Sequence, residues 1–98
     1  MKITVLGSGT STGVPTLGCK CSVCLSNVSK NKRLRSSIII NINEKNILVD
    51  ASTDLRTQLL NNKIDDIDGC IITHEHADHT AGLDDIRPFC FKQGPLPI

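Results

Sequence analysis

All three histidines of this 98-residue chain fall within Thr73-His74-Glu75-His76-Ala77-Asp78-His79, and no other stretch limits the fold so tightly. Imidazole nitrogens and carboxylate oxygens gathered this closely suit zinc, manganese or iron. The stretch follows the apolar run Gly69 to Thr73 (GCIIT), which reads as a short buried strand delivering His74 to the carboxyl edge of a sheet, where α/β proteins keep their sites. If the chain stays extended past that strand, His74 and His76 point to one side and grip one ion. Asp78 and His79 then turn toward a neighbouring position, so one loop can serve two adjacent metals, as in hydrolases that activate water. A zincin helix is excluded, because H-E-x-x-H would need a histidine where Asp78 stands. The bland alternative is a polar turn of solvated histidines.

The rest of the chain supplies the frame. Lys2 to Leu6 (KITVL) predicts a first strand that stops at Gly7. Ser36 to Ile42 and Asn46 to Asp50 predict a hairpin around Asn43-Glu44-Lys45. Neither hairpin strand alternates cleanly, so both sheet faces expect cover, from helices on one side and a second sheet on the other. Ser52 or Thr53 is expected to cap a helix running to about Asn62, with Leu55, Leu59 and Leu60 on its buried face. Asp65, Asp66 and Asp68 read as solvated turn residues. Asp84 to Phe89 reads as a short helical turn broken by Pro88, and Pro95-Leu96-Pro97-Ile98 as the start of another strand. With aromatic residues at only 2%, the core must be built from Ile, Leu and Val.

Several functions are excluded or weakened by the same reading. The loop Gly7 to Gly13 lacks the third glycine of a dinucleotide fingerprint, since Thr12 stands in its place, and no Gly-Lys-Ser/Thr follows for a Walker loop. What remains is a turn whose free N–H groups and hydroxyls either face a phosphate or simply lie at the surface. A net charge of +1 gives no general affinity for nucleic acid or anionic membranes. The basic run Lys30, Lys32, Arg33 and Arg35 is by default a solvated connection, with an anionic-substrate rim as the alternative. Met1 to Gly7 holds no signal peptide and nothing later is long enough to span a bilayer, so the expected place is the cytoplasm and no membrane partner is expected. Cys19, Cys21 and Cys24 form C-x-C-x-x-C, which can hold a structural zinc if a fourth ligand is found in Cys70, Cys90 or beyond Ile98; otherwise they are free reduced thiols.

The H-x-H-x-D-H pattern, followed by Thr80-Ala81-Gly82-Leu83, resembles the metal-binding signature of the metallo-β-lactamase fold superfamily. The loop G-S-G-T-S-T-G-V-P leading into the cysteine cluster is similar to that of the PhnP-like phosphodiesterase branch, as is Leu83-Asp84-Asp85-Ile86-Arg87. This resemblance implies an α/β (α+β) fold, residues 1–98 being the N-terminal half of an αββα sandwich truncated at its C-terminal end. It implies two Zn or Mn ions, the first on His74 and His76 and the second on Asp78 and His79. It also implies a structural zinc on Cys19, Cys21 and Cys24, completed by a histidine far downstream. Asp50, in Ile47-Leu48-Val49-Asp50-Ala51, looks like the aspartate that orients the ligands, which makes Asp50 and Asp78 the carboxylates on which catalysis would depend.

The expected activity is metal-dependent hydrolysis of a small cyclic or organic phosphodiester, with the 98 residues alone inactive for lack of further ligands. A ribonuclease Z-like tRNA 3′-processing endonuclease shares the histidine motif, but the cysteine cluster and short basic run favour a smaller substrate than RNA. Thioester and lactam hydrolases would use the same ligands. A non-catalytic metal-binding fragment is the reading from another class. Strands apolar on both faces would leave one face of a half-sandwich bare, so the chain is expected to aggregate, dimerise through its sheet or stay partly molten.

Overall fold

The computed structural model describes all 98 residues. Four strands form one mixed sheet in the order β1 (Lys2–Gly7), β2 (Ser37–Ile42), β3 (Lys45–Val49), β4 (Gly69–Ile71). The pairs β1·β2 and β2·β3 are antiparallel, while β3·β4 is parallel, so β1, β3 and β4 all end at one edge. Helix α1 (Leu55–Asn61) connects β3 to β4, and α2 (Ala77–Thr80) and α3 (Arg87–Gln93) follow β4. This mixed sheet with its helices is the α/β (α+β) architecture expected from the sequence. No helix is long and apolar enough to cross a membrane.

The hairpin turn is tighter than the sequence predicts. Asn43 and Glu44 both take positive φ, 51° and 64°, which lets two residues reverse the chain with the twist that antiparallel strands require, and Lys45 joins β3. In the register this sets, Ile39 lies opposite Leu48 and Leu48 beside Cys70. Those residues and Leu6 face Ala51, Leu55, Leu59, Ile67 and Ile86 in the core. A fully buried side chain such as Leu48 or Leu55 contributes about 1.5 to 3 kcal/mol.

The opposite face alternates with the first and is equally apolar. Ile3, Ile40 and Ile47 form one row across it and Val5, Ile38, Val49 and Ile71 the next. The helices pack only on the other side, so Val5 stays 60% exposed and Ile71 53%. Cover on both faces, expected from the continuous apolar runs, is therefore present on one.

Three local expectations shift. In α1 the buried residues are Leu55, Gln58 and Leu59, while Leu60 points to solvent. Gln58 belongs inside because its amide donates to the Arg35 carbonyl at 2.7 Å and accepts the Ser52 hydroxyl at 2.7 Å, so a buried polar group is satisfied. Pro88 starts α3 rather than breaking a helix, since a first-turn residue has no intrahelical N–H bond to lose. Residues 95–98 form no strand, although the Pro97 carbonyl accepts the Cys70 N–H at 2.9 Å.

Two charged groups read as solvated are also structural. Arg35 pairs with Asp54 at 3.0 Å and its N–H meets the same carboxylate. Asp68 accepts the Asn46 N–H at 2.8 Å, tying the hairpin to the start of β4.

Candidate metal centre

Asp50 is the residue around which the site is assembled. It leaves β3 with φ 64°, a conformation that a short polar side chain tolerates far better than a branched one. Its backbone is held from both sides: its N–H donates to the Ile71 carbonyl at 2.8 Å, and its carbonyl accepts the Ser37 hydroxyl at 2.7 Å. The next residue, Ala51, donates to the His79 carbonyl at 2.9 Å and accepts the Gly82 N–H at 3.0 Å. These bonds stitch the end of β3 to the loop that carries the histidines. A side chain on Gly82 would run into the Ser52 carbonyl and Leu55, which is why the chain can pass so close only as glycine.

Asp50 is 6% exposed, and its carboxylate makes four short contacts with three donors. Thr73 gives its N–H at 2.7 Å and its hydroxyl at 2.8 Å to Oδ2 and 3.0 Å to Oδ1. The His79 ring meets Oδ2 through Nδ1 at 2.7 Å. Burial pushes the carboxyl upward, but the Thr73 N–H, the His79 ring and the Thr73 hydroxyl outweigh it and hold Asp50 below its ordinary value of 3.8. This capture of Thr73 also explains why β4 ends at Ile71, two residues before the predicted end. The Thr73 N–H points at a side chain instead of along a ladder.

The loop beyond is consequently turned, with α2 starting at Ala77. The His74 ring lies 4.1 Å from that of His79 and 4.5 Å from that of His76, centroid to centroid. Potential ligand atoms of Asp50, His74 and His79 lie within 4.8 Å of one another. Asp78 Oδ2 sits 3.1 Å from His79 Nε2. His76 is the exposed member of the set.

The donor set fits a cation on a geometric ground. With Nδ1–H given to Asp50, a neutral His79 ring turns its Nε2 lone pair toward the Asp78 carboxylate oxygen. Two lone pairs that close require a positive charge between them, a proton or a metal ion.

Cys19, Cys21 and Cys24 also converge, with their sulfurs within 4.8 Å of one another. Cys70 and Cys90 do not join them. The Cys24 N–H, the Cys19 thiol and the Cys24 thiol bring Cys21 down to about 7, while the neighbouring thiols and burial push Cys24 up against the Thr16 N–H. Cys70, in β4, points into the core, its thiol pushed up to about 11 by burial and by the nearby Asp50 charge.

Sequence reasoning gave no role to Thr73 or Ser37. A hydroxyl immediately before the first histidine was the available signal for Thr73. Nothing in the sequence marked Ser37, because its partner, the Asp50 carbonyl, comes from the next strand.

A sheet whose carboxyl edge gathers three histidines and two aspartates makes this an α/β domain with candidate ligands for a metal ion. Residues 45–98 match the Beta-lactamase superfamily domain, and the chain belongs to that family. It is similar to a crystallised diphosphatase from the PhnP family, with 49% identity and a TM-score of 0.90 over 94% of this chain and 36% of that one. It is also similar to Zn²⁺-bound PqqB from Methylobacterium extorquens, with 29% identity and a TM-score of 0.76 over 87% of this chain and 33% of that one. A protein named octanoyltransferase from Porphyromonas gingivalis is 50% identical over 94 residues, which are 95% of this chain and 19% of that protein. The chain thus spans about a third of the solved relatives and a fifth of the last.

Proposed function

We propose that this chain carries the metal-binding part of a hydrolase that cleaves phosphoryl bonds, with small cyclic or organic phosphodiesters as its substrates. The observation that carries the reading is the clustering of His74, His76, Asp78 and His79 beside a buried Asp50. The likeness to a diphosphatase of the PhnP family supports the phosphoryl class and adds a diphosphate as the second substrate to test. In this reading His74 and His76 hold one ion, Asp78 and His79 a second, and Asp50 orients the rings from behind. Zn or Mn bound there supplies Lewis acidity toward phosphoryl oxygens and activates water. The chain's own contribution is positional: the Asp50 carboxylate accepts a hydrogen bond from the Nδ1–H of His79, Thr73 ties Asp50 to the loop, and Gly82 lets α2 close on β3. Cys19, Cys21 and Cys24 would hold a separate, structural zinc.

A ribonuclease Z-like activity and octanoyl transfer are the competing assignments. The matched segment is a fifth of the octanoyltransferase, which leaves four-fifths of that protein as the alternative seat of its named activity. The test is turnover of a cyclic phosphodiester, a diphosphate, a tRNA 3′ precursor and an octanoyl thioester by the metal-loaded protein at the full length of its solved relatives, the 98 residues alone being expected to stay inactive. Metal-dependent hydrolysis of either small phosphoryl compound is expected. Turnover of the thioester alone, or no metal uptake at the histidine cluster, would overturn the proposal.

A further inference from the structure

The short bonds around Thr73 carry an inference that rests on the metal-site reading and extends it to a residue without an assigned role. The Thr73 hydroxyl has one proton and three near neighbours: Asp50 Oδ2 at 2.8 Å, Asp50 Oδ1 at 3.0 Å and His74 Nδ1 at 2.8 Å. A hydroxyl can give its proton once and accept with its lone pairs. Placed against an ionised carboxylate, it donates there, because the charge-assisted bond is the stronger and because the opposite choice would set lone pairs against both carboxylate oxygens. The contact to His74 must then run the other way, with the ring as donor.

We infer that Thr73 is a positioning residue, through which Asp50 fixes His74 with its proton on Nδ1 and its Nε2 lone pair free to bind metal. Asp50 acts directly on His79 through Nδ1 at 2.7 Å and at one remove on His74. One buried carboxylate would then set the tautomer of two ligands, in a loop where a free imidazole prefers its proton on Nε2, the nitrogen a metal would need. Thr73 also has a second tie to Asp50 through its backbone N–H, so the hydroxyl can be removed without freeing the loop.

The test uses ring-nitrogen NMR on the metal-free protein above the ordinary histidine titration range, together with zinc affinity by chelator competition. In the wild type both His74 and His79 should show the Nδ1–H form. Thr73→Val, which keeps the shape and the backbone bond, should move His74 toward Nε2–H, leave His79 unchanged and weaken zinc binding by roughly ten- to a hundredfold. Thr73→Ser should restore both readouts to within about twofold of wild type. A wild-type His74 carrying its proton on Nε2 overturns the inference by itself, even if the valine variant fails to fold. So does a folded valine variant with unchanged tautomer and affinity. Failure of the wild type to take up zinc would instead count against the metal-site reading, and the tautomer measurement would still decide the role of Thr73.

Discussion

The two candidate metal centres are built in opposite ways. The histidine cluster sits where three strand ends meet, and its central carboxylate is buried, clamped through its backbone from β2 and β4, and bonded to two other side-chain positions before any ion is present. The cysteine cluster lies in an irregular loop with Cys21 exposed, and its ties are local ones: the N–H groups of Thr16 and Cys24 pointing at sulfur, at 3.5 and 3.4 Å, and backbone bonds from Cys19 to Thr16 and from Leu25 to Cys21. The first arrangement is held by bonds across the sheet; the second is held by bonds within its own loop. Preorganised sites lose function when their supports are removed, whereas loop sites lose order when the metal is removed.

Glycine substitutions should expose this difference most sharply. At Gly82 an added methyl meets the Ser52 carbonyl and Leu55, so Gly82→Ala is expected to cost about 3 kcal/mol in urea unfolding and to abolish binding at the histidine cluster. At Gly18, before Cys19, nothing lies within reach of such a methyl and only a φ of 79° is strained. Gly18→Ala should therefore cost about 1 kcal/mol or less, the smallest effect of the set, and spare the histidine site.

Between those extremes lies the carboxylate itself. Asp50→Ala leaves the Thr73 hydroxyl and the His79 Nδ1–H without their partner, and should lower metal affinity roughly 10- to 100-fold at the histidine site while cysteine-bound zinc is unaffected. Equal loss at both centres, read by calorimetric titration, would erase the distinction. Acid probes the same group. Its carboxyl is held below the ordinary 3.8, so its contribution is complete above that value and disappears as pH falls through the lower folded value. The Thr73 amide shift, which reports the N–H bond to the Asp50 carboxylate, should accordingly hold until the pH falls below the ordinary 3.8.

The cysteine loop is best probed by alkylation. With its thiol at about 7, Cys21 should react near neutral pH on the order of tenfold faster than Cys24, and Cys70 should be protected by both burial and a thiol near 11. Zinc should suppress the reaction at Cys21 and leave Cys70 as slow as before. If the three thiols of the loop react alike with and without zinc, they do not form a site.

Much of this frame was legible in the residues. The four strands, the connecting helix and the loop bearing the histidines follow from apolar runs and turn residues that act over a few positions. Details failed where a distant partner competed with a local preference. Thr73 leaves the strand because Asp50, 23 positions earlier, takes its N–H. Leu60 is displaced from the buried face of α1 because Gln58 finds the Arg35 carbonyl and the Ser52 hydroxyl. Pro88 would break a helix interior, yet it stands in a first turn, where its missing N–H costs nothing.

Which groups could bind metal is written in the residues, because ligand type and spacing are properties of the chain alone. So is the apolar character of both sheet faces, since consecutive Ile and Val side chains must point alternately up and down. That the helices cover one face and leave Val5 and Ile71 in solvent follows from packing between distant elements. So does the meeting of Asp50, Thr73 and His79, because hydrogen-bond geometry depends on distances across strands that no linear spacing records.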